Sequence, residues 1–201
     1  DFAGGALPAG EVIFAPGEAV AQIAVPVAGD RAVEPDEGFA LALSDPGGLI
    51  DTGAPVAGTI LNDDAPALLS IAGTVFAVPE GDSGTTEMVF TVTRSGNTGI
   101  AAEAAFAVVG TGVAPVDAAD FGGTLPAGTV AFAPGETERE IVLLVSGDTD
   151  LEPDERFEVR LSAPAAGTEI AKDEAVGLIR NDEPVAVFDI AAVDAVRAEG
   201  D

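Results

Sequence analysis

At 201 residues the chain has room for one large domain or two of about 100, and an apolar fraction of 47% rules out disorder as the origin of its acidity. Asp and Glu number 35 against 8 Lys and Arg, a formal charge of −27 that repels nucleic acid and anionic lipid. Cys and His are both absent, which removes disulfides, thiolate nucleophiles, Cys/His zinc sites and imidazole bases, and no apolar run nears the roughly 18 residues of a membrane helix.

The first residue, Asp1, already lies inside a motif, so the chain reads as a piece of something longer. Residues 1–39, from Asp1-Phe2 to Phe39, align with Asp120-Phe121 through Phe157, with one extra residue near Gly4-Gly5. Further on, Gly58 to Asp64 matches Gly177 to Glu183, and Ala67 to Asp82 matches Ala186 to Asp201. The Asp-Phe and Glu-Gly-Asp motifs each recur after 119 residues, the size of one small β-domain. Residues 1–64 are therefore expected to be the back part of one repeat, 65–184 a whole repeat, and 185–201 the start of a third. Proline stiffens both short joins, at Asp64-Ala65-Pro66 and Glu183-Pro184.

Within the whole repeat, Glu87 to Thr93 is β-rich and closes on the turn Ser95-Gly96-Asn97. The Ala-rich stretch Ala101 to Ala107 has Gly and β-branched neighbours, which favours strand over helix. Gly128 to Phe132 leads into the turn Pro134-Gly135-Glu136, and Glu140 to Val145 and Phe157 to Leu161 are short apolar or alternating runs. Short strands with Gly/Pro punctuation and no helical stripe predict an all-β fold of tandem antiparallel sandwiches.

The acids gather rather than spread, which separates cation sites from a salt-adapted surface. The densest stretch is Asp148-Thr149-Asp150-Leu151-Glu152-Pro153-Asp154-Glu155. If it is extended, the carboxylates at 148, 150, 152 and 154 face one side, an arrangement that is costly without a cation among them. Calcium, with six to eight oxygen ligands at roughly 2.3–2.6 Å, suits such a site; zinc and copper prefer N or S donors. An EF-hand is excluded, because Pro153 stands where its glycine is required and strands flank the loop. The stretch recurs as Asp30, Glu34, Asp36 and Glu37.

The ordered set Val78-Pro79-Glu80-Gly81-Asp82, Asp120-Phe121, Phe132-x-Pro-Gly-Glu136, Gly147-Asp148, Glu152-Pro-Asp-Glu155-Arg-Phe157 and Gly177-x-Ile179-x-Asn-Asp-Glu183 resembles the Calx-β domain over essentially the whole chain. Such domains are the calcium sensors of sodium–calcium exchangers and occur in large bacterial surface proteins. The resemblance implies an immunoglobulin-like sandwich with calcium at one tip, near the exit to the next domain. It assigns as ligands Glu80, Asp120, Asp148, Asp150, Glu152, Glu155, Asp182 and Glu183 in the whole repeat. In the first copy the counterparts are Asp1, Asp30, Glu34, Glu37, Asp63 and Asp64, and Glu199 is the early Glu of the third. The sequence departs from the exchanger pattern in three ways. Gly147 and Gly29 replace the first of two consecutive acids, Asn181 breaks an all-Asp triplet, and Ala32 stands where the second copy has Asp150. Fewer negative ligands imply fewer ions and weaker affinity.

The leading reading is a calcium-stiffened structural or adhesive module of a secreted or cell-surface protein, bacterial in origin, whose partners are neighbouring repeats of the same or another copy. Alternatives are a regulatory calcium sensor, or a metal-free acidic spacer that assembles into fibres by strand addition. A cadherin-like repeat shares the Asn62-Asp63-Asp64-Ala65-Pro66 linker but not the other cadherin signatures. An enzyme is not expected: acid pairs such as Glu152/Glu155 could serve a glycosidase, but there is no Trp or Tyr to stack a sugar and Lys172 is the sole lysine. Residues 1–64 lack counterparts of 67–119, so an open core and unpaired edges are expected there, filled by a preceding stretch of chain or another copy.

Overall fold

The computed structural model describes residues 1–2, 4–73 and 77–191. Glu199, assigned above to the third copy, lies outside the described residues. The strands in chain order are β1 (Glu37–Leu41), β2 (Val56–Ile60), β3 (Ala67–Gly73), β4 (Ala77–Pro79), β5 (Thr85–Gly96), β6 (Ala102–Thr111), β7 (Ala127–Phe132), β8 (Glu138–Ser146), β9 (Glu155–Ser162), β10 (Thr168–Lys172) and β11 (Glu174–Arg180). One turn of 3₁₀ helix, Ala119–Phe121, lies between β6 and β7. Among the described residues no helix is long and apolar enough to cross a membrane.

From β3 to β11 the strands form two facing sheets, ordered β10-β3-β5-β8 and β4-β11-β9-β6-β7. Each strand keeps one face in the core through period-two alternation. Met88, Phe90 and Val92 of β5 and Ile141, Leu143 and Val145 of β8 point inward from one sheet, and Ala104, Phe132, Phe157 and Val159 meet them from the other. A fully buried side chain of the Phe90 or Phe157 class contributes about 1.5–3 kcal/mol. The Ala-rich segment is strand, as its neighbours predict: β6 pairs with both β7 and β9.

The interior ladders are antiparallel, and the edges add something the alternation does not encode. β3 pairs in parallel with β10, and β4 pairs in parallel with β11. The opening of the domain thus serves both sheets, which closes the sandwich on itself.

Residues 1–64 hold one two-stranded sheet, β1 with β2. Its register reproduces β9 with β11: Phe39 opposes Gly58 as Phe157 opposes Gly177. Phe2 meets Phe39 edge to face at 5.6 Å, and Phe121 meets Phe157 likewise at 5.7 Å. Among the described residues of 1–64 no second sheet covers this pair, and Ile13, Val20, Leu49 and Ile50 are exposed.

Candidate functional site

The end of the sandwich where β4 and β11 finish gathers acids from four places. Glu80 follows β4, Asp120 sits on the 3₁₀ turn, Asp148 to Asp154 lie in the loop from β8 to β9, which Glu155 opens, and Asp182 and Glu183 follow β11. Two groups form there: carboxylate oxygens of Glu80, Asp182 and Glu183 lie within 4.8 Å of one another, and so do those of Asp120, Glu152 and Glu155.

The backbone explains why they converge. Parallel pairing brings Arg180 beside Pro79, so the chain leaves both strands together and Glu80 N–H donates to the Arg180 carbonyl at 3.2 Å. Gly81 N–H donates to Asp182 Oδ1 at 3.1 Å, and Thr86 Oγ1 donates to the Glu80 carbonyl at 3.1 Å. Gly147 N–H donates to the Gly84 carbonyl at 3.1 Å. A Cβ on Gly147 would overlap the Gly81 carbonyl oxygen, so the acid that the exchanger sensors carry at this place has no room here.

The electrostatics are those of acids crowded without compensation. Glu80 is 3% exposed, and its neighbours at this tip are other carboxylates. Its pKa is pushed up to about 7 by burial, then by the charges of Glu183, Asp148, Glu152 and Asp182. Burial, a side-chain hydrogen bond with Asp120, and the charges of Asp120, Glu152 and Asp117 raise Glu155 well above the ordinary range. Glu152 is raised by burial and by Asp148, Asp120, Asp150 and Asp117. Glu155 Oε2 and both carboxylate oxygens of Glu183 are buried with no hydrogen-bond partner. Buried acceptors without donors carry a desolvation cost that a hard cation removes. The donor set is oxygen alone, so the residues present fit calcium better than a softer metal.

The alternating-face expectation for 148–154 is corrected. Residues 147–154 are unpaired loop, not strand. Asp148 Oδ1 accepts from Asp150 N–H at 2.7 Å, bending the segment, and Asp154 Oδ1 accepts from Asn181 N–H at 3.3 Å. Glu152 and Glu155, three apart, meet Asp120 instead; Asp148 and Asp150 bear on the groups through their charge.

Asp117 was not anticipated from sequence. Its N–H donates to Asp120 Oδ2 at 2.6 Å and its Oδ1 accepts from Ala119 N–H at 2.6 Å, fixing the turn that carries Asp120. The Asp117-x-x-Asp120 spacing was the available signal.

In the first copy, Asp1, Asp30, Glu34, Glu37, Asp63 and Asp64 line one open depression of about 440 Å³. Among the described residues they form no close triplet of carboxylates like the two above. Its acidic loop touches the next domain, where Asn97 Nδ2 donates to the Arg31 carbonyl at 3.0 Å.

Compared with known families, the chain matches the Calx-beta domain over residues 6–65 and 62–183. The chain belongs to the Calx-beta domain family. Among curated proteins none matches it. Among solved structures, this Calx-beta chain is similar to the apo form of the Calx CBD1 domain, at 22% identity and a TM-score of 0.47, with 59% of this chain and 99% of that one covered. It is also similar to the calcium binding domain CBD12 of CALX1.1, at 23% identity and a TM-score of 0.45. That match covers 56% of this chain and spans 44% of the CBD12 chain. The Calx CBD2 domain is similar at 14% identity and a TM-score of 0.46, covering 57% of this chain and 86% of that one.

Proposed function

We propose that the chain is a calcium-binding structural or adhesive repeat module of a larger secreted or cell-surface protein, not an enzyme, and that calcium stiffens the junctions between repeats. The observation that carries this reading is the pair of three-carboxylate groups at one tip of the sandwich, which include the buried Glu80 and the oxygens of Glu155 and Glu183 that have no hydrogen-bond partner among the described residues. Glu80, Asp182 and Glu183 would hold one ion, and Asp120, Glu152 and Glu155 another, with Asp148 and Asp150 adding charge. Bound calcium supplies positive charge that turns mutual repulsion among these acids into attraction. Family membership supports the same reading, since the calcium binding domain CBD12 of CALX1.1 is named for that ion. The depression of the first copy is a second, weaker site, because Ala32 replaces an acid there.

The junction role is supported by position. The acids lie where β11 exits into Pro184, and in the first copy the acidic loop already abuts the Asn97 turn of the next domain. Neighbouring repeats, of this chain or another copy, are accordingly the expected partners.

A ligand that binds only the folded state stabilises it by about 2.7 kcal/mol at 100 times its dissociation constant. The melting temperature of the chain should rise with calcium and fall with chelator, and Glu152→Ala with Asp182→Ala should remove most of the rise. An unchanged melting temperature across millimolar calcium would leave a metal-free acidic spacer as the better account. A calorimetric midpoint in the micromolar rather than millimolar range would point to the regulatory sensor.

A further inference from the structure

Just past the closing strand of each copy lies an Asn that makes the same three bonds. Asn181 Oδ1 accepts from Glu152 N–H at 2.8 Å, its Nδ2 donates to the Glu183 carbonyl at 3.2 Å, and its backbone N–H donates to Asp154 Oδ1 at 3.3 Å. In the first copy Asn62 Oδ1 accepts from Glu34 N–H at 3.1 Å, its Nδ2 donates to the Asp64 carbonyl at 3.0 Å, and its N–H donates to Asp36 Oδ1 at 2.9 Å. The pattern holds even though the first copy lacks a second sheet over β1 and β2. It is therefore a property of the loop and closing strand themselves.

We propose that Asn181, and Asn62 in the first copy, is a positioning residue that straps the acidic loop to the closing strand, so that the cation site is shaped before any ion arrives. The inference rests on the calcium reading above. One side chain does what neither Asp nor Ala can: its oxygen holds the residue that carries Glu152, and its amide holds the residue that carries Glu183. Glu152 belongs to one carboxylate group and Glu183 to the other, so the strap fixes the two groups relative to each other. Asp at this place keeps the acceptor, loses the donor, and sets a negative oxygen against the Glu183 carbonyl. Groups that orient metal ligands without touching the metal typically change affinity about 10–100-fold when removed.

The proposal makes a prediction opposite in sign to charge counting. Asn181→Asp adds one negative charge beside the site, which alone should tighten calcium binding. If the strap dominates, Asn181→Asp weakens binding about tenfold, and Asn181→Ala does so without changing the charge. The measurement is a calcium titration of the full chain followed by NMR at the Glu152 and Gly147 amides, which report on this site and not on the first copy. A second measurement needs no calcium: amide exchange at Glu152 in the metal-free protein should be slow in the wild type and about tenfold or more faster in Asn181→Ala, which removes the acceptor. Tighter or unchanged calcium binding by Asn181→Asp, or Glu152 exchange unaffected by Asn181→Ala, overturns the proposal. If the wild type ignores millimolar calcium, the calcium reading fails, and the exchange measurement still decides whether Asn181 straps the loop.

Discussion

Glu80 and Glu155 hold protons in the folded chain that an unfolded chain releases. An exposed Glu has an ordinary value of about 4.5, whereas burial and neighbouring charges push Glu80 up to about 7 and raise Glu155 as well. Between these values the native state binds more protons than the unfolded one, so metal-free stability falls as pH rises. The contribution is fully present below the unfolded value and is lost through pH 7 and above. Asp45 and Glu136 act in the opposite sense at lower pH, because backbone N–H groups and Arg139 hold their carboxylates below the ordinary range. The metal-free melting temperature should therefore be higher near pH 5 than near pH 8, and the calcium-induced rise larger at pH 8, where the ligands are already deprotonated. A metal-free melting temperature that climbs from pH 5 to pH 8 would contradict this picture of the site. At this scale the acidic runs are visible in the sequence by their number and recurrence, but not which of their carboxylates meet. Nor are the parts played by Asn181, Asp117 and Gly147 visible there. Asn181 reads as a missing charge until its two hydrogen bonds are seen, and Gly147 reads as a missing ligand until the Gly81 carbonyl is found against it.

Among the elements, β9 and β11 show how a cross-strand pair can be tightly specified in one repeat and loose in the other. Phe157 lies over Gly177, where a Cβ would overlap its ring, and Phe90 and Phe121 hold that ring at 6.0 and 5.7 Å. A fully buried ring so enclosed cannot swing away, so Gly177→Ala should cost about 1–3 kcal/mol, read as a lowered denaturant midpoint. Gly58 stands under Phe39 in the same register, but Phe39 is only partly buried and has room to move. Gly58→Ala should cost less than Gly177→Ala, and equal costs would mean that the ring packing is not what matters. Strand positions were legible because alternation is a local signal: Glu87–Thr93 lies inside β5 and Glu140–Val145 inside β8. The parallel partners of β3 and β4 were not, since an inward-facing Leu69 or Val78 looks the same whichever way its neighbour runs.

Across the whole molecule, self-similarity carried most of the organisation. The 119-residue spacing anticipated that β1 and β2 would match β9 and β11, and they do so down to the Phe2–Phe39 and Phe121–Phe157 contacts. It could not supply what covers them, because the strands that cover β9 in the second copy, β6 on its edge and β3 and β5 across the core, have no counterpart within residues 1–64.

The two parallel edge pairs also determine how the domain would respond to tension. Load on a string of repeats enters the domain ahead of Ala67, at the start of β3, and leaves after Arg180, at the end of β11. Parallel neighbours pulled from opposite ends slide along each other, so the bonds joining Ala77, Val78 and Pro79 to Leu178, Ile179 and Arg180 must fail together and not one after another. The acids sit just beyond that clamp, where Gly81 N–H meets Asp182, so an ion held by Glu80, Asp182 and Glu183 would pin its far end. In single-molecule stretching, residues 65–184 should break in one high-force event that calcium raises and chelator lowers, whereas β1 and β2 should part at low force. A gradual extension of 65–184, indifferent to calcium, would show that the edges do not act as a clamp.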